Sequence, residues 1–139
     1  DYFKNTYGRN WRECSEYLNK LSELYYKLNL ENKEDLFSRN NIKLCDMITR
    51  HLQQFKPVIE LNLQNDNEYH FVSWKHLKIH SQIWLDITNI IKLLCENETE
   101  KAQQRWSDLK NRIWLNEDEC QPVFDAFNFI NTIEDIIGK

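Results

Sequence analysis

Apolar residues recur along this chain at steps of three and four, the spacing that places side chains on one face of an α-helix. Trp11, Cys14, Leu18, Leu21, Tyr25 and Leu28 form a first stripe, widened by Tyr17 and Leu24, and predict a helix from about Asn10 to Asn29. Ile42, Cys45, Ile48, Leu52 and Phe55, with Leu44 alongside, predict a second from about Asp35 to Lys56. The longest stripe runs through Trp74, Leu77, Ser81, Trp84, Ile87, Ile91 and Leu94, and predicts a third helix from about Tyr69 to Glu96. Ile90 and Cys95 broaden it, which marks this helix as the central one. Ala102, Trp106, Leu109 and Ile113 define a fourth. Cys120, Val123, Phe124, Phe127, Ile130, Ile133 and Ile137 define a fifth.

Polar punctuation separates these segments. Residues 31–34 connect the first two helices. Pro57 lacks the N–H that would continue the second, so the expectation is a stop at Lys56 and a short restart through Val58, Ile59, Leu61 and Leu63. Residues 62–68 are the clearest loop, because Asn and Asp favour turns. Asn10 with Glu13, and Asn97 with Glu100, have the spacing of capping boxes. The fifth helix is expected to start near residues 118–121, with Pro122 in its first turn, and to stop at Gly138. Residues 1–9 read as an irregular lead-in. The fold class expected is therefore all-α: one domain over residues 1–139, an antiparallel bundle of about five helices.

Composition supports that reading and narrows the function. The chain has 139 residues, 41% of them hydrophobic, enough for one core. Only two Gly and two Pro are present, too few for the many turns of an all-β domain. Eighteen basic against 22 acidic residues give a net charge of −4, so no nucleic-acid partner is expected. No apolar run approaches the ~20 residues that span a bilayer, so no membrane insertion is expected either. No signal-peptide pattern is visible. The chain opens on Asp rather than Met and so reads as a fragment or processed chain, which leaves a removed signal open.

The four cysteines, Cys14, Cys45, Cys95 and Cys120, are far apart in sequence, and each falls on an apolar stripe. Two readings fit: reduced core thiols, or two disulfides of a secreted bundle. His76 and His80 share a helical face and are the weak candidates for a metal, but the residue after the first His is Leu77 rather than a catalytic glutamate. A third ligand would have to come from His70 or a remote carboxylate. No cofactor is expected, since Gly8 and Gly138 are the only glycines and no phosphate-binding loop can be built. Residues 117–119 form an acidic run that suits a solvated helix start, or an acidic docking spot for a basic partner. Asn97-Glu98-Thr99 matches an N-glycosylation acceptor. Tyr26, Tyr69, Phe71 and Trp114 lie off the stripes near helix ends and are the candidate partner-binding residues.

The run Leu44-Cys45-Asp46-Met47-Ile48-Thr49-Arg50-His51-Leu52 resembles the second helix of the small helical domain of the steroid receptor RNA activator protein. A related domain closes the outer-coat scaffold subunit of the COPII vesicle coat. The later order is similar: an apolar helix to Leu94, a polar turn, Ala102 on an amphipathic helix, and a final apolar helix from Val123. The resemblance implies a five-helix bundle that acts by interaction and without catalysis. The long third helix, and the final helix that reads Val123-Phe124-Asp125-Ala126-Phe127-Asn128, depart from the family's pattern.

The expected function is a non-enzymatic protein-interaction or scaffolding module of an intracellular, cytoplasmic protein, of the vesicle-coat appendage type by resemblance. The alternative is a secreted, disulfide-bonded, four-helix cytokine-like or host-interaction protein.

Overall fold

The computed structural model describes residues 2–138. Among them the chain forms α-helices and no strand: α1 (Tyr2–Tyr7), α2 (Trp11–Leu28), α3 (Lys33–Leu36), α4 (Ile42–Asn62), α5 (Glu68–Cys95), α6 (Thr99–Leu115), α7 (Glu117–Cys120) and α8 (Ala126–Ile137). A 3₁₀ turn at Arg39–Asn41 leads into α4. The long helices form the all-α bundle that the periodicity predicts.

On α2 the fully buried residues are Cys14, Tyr17, Leu21, Leu24 and Leu28, with Trp11, Leu18 and Tyr25 half-buried beside them. The buried face is thus centred on the two residues that only widened the sequence stripe. On α4 the buried line is Cys45, Ile48, Leu52, Phe55, Ile59 and Asn62. This helix runs through Pro57 unbroken, correcting the expected stop at Lys56. Pro57 and Gln53, whose carbonyl it leaves without a helical donor, are both exposed, so that carbonyl lies on the solvent side of the helix, where losing the bond costs little. Packing then holds Ile59 and Asn62 on the face of Leu52 and Phe55.

Helix α5 is central, packing against α1, α4 and α6. Helix α2 joins it through Tyr25, whose hydroxyl donates to Thr88 Oγ1 at 2.6 Å, while Thr88 Oγ1 donates to the Trp84 carbonyl at 2.7 Å. Trp74 is fully buried and donates Nε1–H to the Tyr7 carbonyl at 2.9 Å. Trp84, which the stripe places in the core, is half-buried between Tyr25 and Phe129.

Residues 2–7 are helical, correcting the irregular lead-in. Six residues are too short to hold a helix alone. Here Phe3 stacks on Tyr7 at 5.9 Å, and Tyr7 meets the edge of Trp74 at 5.2 Å. His70 donates Nε2–H to the Asn5 carbonyl at 3.1 Å. Gly8 (φ +63°) lies against that imidazole, and a Cβ there would come within 2.5 Å of the ring. Only glycine fits both the angle and the space.

Neither capping box forms. Asn10 is left-handed (φ +63°), and its side-chain oxygen accepts from Asn62 Nδ2 at 3.0 Å instead of from the helix. Asn97 (φ +60°) ends α5 rather than starting α6: its N–H reaches the Leu94 carbonyl at 3.2 Å, and Glu98 N–H reaches Leu93 at 2.9 Å. That pair of bonds is a Schellman stop, with Asn in the usual glycine position. The expected fifth helix is two pieces. Pro122 cannot carry the bond ladder on from α7, and Asp125 opens α8 afresh by accepting from Asn128 N–H at 3.2 Å. The break rotates the stripe, so Phe127 is exposed while Ala126, Ile130 and Ile133 are buried.

Candidate functional site

Helix α8 follows α6 through the short α7, and the two rest loosely side by side. Ala102, Trp106, Leu109 and Ile113 of α6 are buried, and Lys110 Nζ and Trp106 Nε1 both donate to Glu134 Oε2 of α8, at 3.1 and 3.3 Å. Alongside this tie runs a groove of about 520 Å³ between α5, α6 and α8. Its floor and walls are Ile90, Leu94, Ala102, Trp106 and Ile137, and Thr99, Gln103, Ser107 and Lys110 make the rim along α6. The α6 residues on it recur every three or four positions from Thr99 to Lys110, about three turns or roughly 17 Å of helix. A second, more open depression of about 630 Å³ lies on the other flank of α8, among Leu30, Trp84, Phe124, Phe129, Ile133 and Ile136. Helix α8 is thus flanked on both sides by apolar surface that it does not cover.

The four aromatics singled out from the sequence do not converge. Tyr26 is 86% exposed on the outer face of α2, level with the Trp84–Thr88 turn of α5 that its neighbour Tyr25 touches. Tyr69 and Phe71 lie in the first turn of α5, about 24 Å further down that helix. Tyr69 is exposed and Phe71 half-buried. Trp114 is partly exposed near the end of α6, next to Leu115, which is 83% exposed. None of them lines the α6–α8 groove. The groove's own residues escaped sequence reading because Trp106 and Ala102 look like plain core, and Gln103 and Ser107 like plain surface.

The histidine pair is split by its surroundings. His80 is largely buried beside Trp84, with ring centres 6.3 Å apart, and its Nδ1 finds no hydrogen-bond partner among the described residues. Burial lowers its pKa below the usual 6.5. His76 is half-buried one turn away. His70 is taken up by Asn5, so it does not complete a ligand set. Among the described residues no three His, Cys, Asp or Glu side chains stand close enough to hold a metal ion.

All four cysteines are buried and unbridged. Burial pushes the Cys14 and Cys45 thiols up to about 12, and raises Cys95 and Cys120 as well. Residues 117–119 are exposed on α7, and Asn97 and Thr99 are exposed at the α5–α6 turn. No described helix is long and apolar enough to cross a membrane. No family model, curated protein or solved structure matches the chain.

Proposed function

We propose that this chain is a non-enzymatic interaction or scaffolding module of an intracellular protein, and that its partner offers an amphipathic helix to the groove between α6 and α8. The observation that carries this reading is an apolar cleft three turns long whose α6 wall repeats at helical spacing. Partner helices are read through anchors at i, i+3, i+4 and i+7, and such a cleft matches that period. Its volume lies in the range of ordinary binding pockets, and Trp106 supplies the aromatic floor that binding sites favour. The Lys110–Glu134 pair at the rim offers one charge of each sign to orient an incoming helix. The resemblance of residues 44–52 to the steroid receptor RNA activator and vesicle-coat helical domains supports the same class, and a coat-type appendage is its finer form. Four unbridged core thiols support the cytoplasmic placement over the secreted one.

The test is affinity capture with three forms of the folded domain. Gln103 and Ser107 are exposed, so Gln103→Trp with Ser107→Trp fills the groove without touching the core. The double variant is expected to lose at least tenfold in captured partner, while Tyr26→Ala captures as the wild type does. Undiminished capture by the groove-filled form would sink the proposal.

A further inference from the structure

The sequence leaves two redox readings open, four thiols or two disulfides, and the packing of the cysteines suggests a third. Helices α4 and α5 lie antiparallel, in a register fixed at two places by ion pairs: Lys92 Nζ to Asp46 at 2.7 Å and Lys78 Nζ to Glu60 at 3.1 Å. That register brings Cys95, at the end of α5, onto Cys45, in the first turn of α4. The Cys45 and Cys95 side chains interact there, and Cys95 donates to the Leu36 carbonyl at 3.5 Å. The other two cysteines have no such neighbour: Cys14 interacts with Tyr7, and Cys120 sits on α7 across from Ile79 and Ile83.

The pair is covered, not exposed. Residues 29–41 pass over it, with Leu36 fully buried as the plug. Asn41 pins this cover by donating Nδ2–H to the carbonyls of Asp35 and Leu36, at 3.1 and 2.9 Å. The cover contains only one turn of α-helix and one of 3₁₀, so it is held by few bonds and opens more readily than the long helices beneath.

We propose that Cys45 and Cys95 form one redox-active pair, closing to a single disulfide that joins α4 to α5 when the cover over them opens to a low-molecular-weight disulfide. One cysteine, losing its proton to water, attacks the small disulfide, breaking its S–S bond and releasing one small thiolate. The second, also deprotonated, attacks the mixed disulfide and releases the other. Two protein thiols are oxidised, and one small disulfide is reduced to two small thiols. Cys14 and Cys120 stay reduced throughout, because neither has a second sulfur within reach.

Oxidised glutathione is the probe. The folded chain is held in excess reagent, free thiols are alkylated, and the peptides are mapped by mass spectrometry with circular dichroism recorded in parallel. The expected product is one intramolecular bridge, Cys45 to Cys95, with native helicity and a higher midpoint of thermal unfolding. Leu36→Ala or Asn41→Ala should form the same bridge severalfold faster. Cys45→Ala and Cys95→Ala should each leave the remaining partner with no bridge beyond glutathione itself. A bridge containing Cys14 or Cys120 in protein that keeps its helical spectrum overturns the proposal. So does recovery of both Cys45 and Cys95 as free thiols from the Leu36→Ala form, or a bridge that lowers the midpoint.

Discussion

Asn62, the last residue of α4, donates Nδ2–H to the side-chain oxygen of Asn10 at 3.0 Å, and to the Val58 carbonyl at 2.8 Å. One buried amide thereby fastens the end of α4 to the residue that opens α2. Asn62→Ala removes both bonds and leaves the Val58 and Asn10 oxygens to whatever water can reach them. The expected loss is about 1–3 kcal/mol in denaturant unfolding. Asn10→Gly, which keeps the left-handed backbone but loses the bond, is expected to be milder than Asn10→Ala by about 1 kcal/mol. Equal losses for the two would show that the backbone angle is not what holds asparagine there.

The two tryptophans of α5 should separate sharply. Trp74→Ala empties a site that is fully buried and releases the Tyr7 carbonyl, so a loss of about 3–5 kcal/mol is expected, with α1 undocked. Trp84→Ala, in a half-buried site, should cost clearly less. Urea melts rank the pair, and hydrogen exchange of residues 2–7 reports whether α1 has come free.

The long helices were legible in the sequence because their periodicity is local. Every residue of the α6 stripe is buried, and the α5 boundaries differ from the reading by a single residue at each end. What was not legible depends on distant partners. The helicity of α1 comes from Trp74 and His70, and the path of α4 through Pro57 from the packing of Ile59 and Asn62. Asn10 and Asn97 depart from the capping-box expectation for one reason: a left-handed asparagine before a helix has the same spacing to a later glutamate as a capping one. The groove beside α8 is a space between faces, which no stripe on a single helix encodes.

His80 should leave a mark on the acid side of the stability curve. Burial lowers its folded pKa, so the unfolded chain takes up a proton first as pH falls. Its contribution to stability is fully present above the unfolded value near 6.5, declines as pH drops through that value, and levels off below the folded one. Thermal melts at pH 7.5 and 5.5 should therefore fall further apart for the wild type than for His80→Leu. Adding a chelator should shift neither curve; a chelator-induced drop in the wild type would revive the metal reading of His76 and His80.

The thiols carry the opposite sign. Burial raises Cys14 and Cys45 from 9.0 to about 12, so their contribution to stability is complete below pH 9 and is lost as pH rises towards that folded value. Alkylation of Cys14 at pH 8 should be slow in the native chain and become rapid only across the unfolding transition. Fast native labelling of Cys14 would contradict its burial.

Glu134 ties α8 to α6, its Oε2 receiving both Lys110 and Trp106. Glu134→Gln keeps an acceptor for Trp106 and should cost under about 1 kcal/mol, whereas Glu134→Ala should cost about 1–3 kcal/mol. Amide exchange in α8 should quicken in the alanine form while α4 and α5 stay protected.

The docking of α1 on α5 also sets an order of events during synthesis. Tyr7 leaves the ribosome 67 residues ahead of Trp74, the side chain that its carbonyl receives. At roughly 5–20 residues per second, that interval is about 3–13 s. Helices α2 and α4 have time to form and pair within it, while the aromatic face of Phe3 and Tyr7 waits without its seat. Nascent chains halted before residue 74 should therefore present this segment to chaperones, and those released after α5 is complete should not.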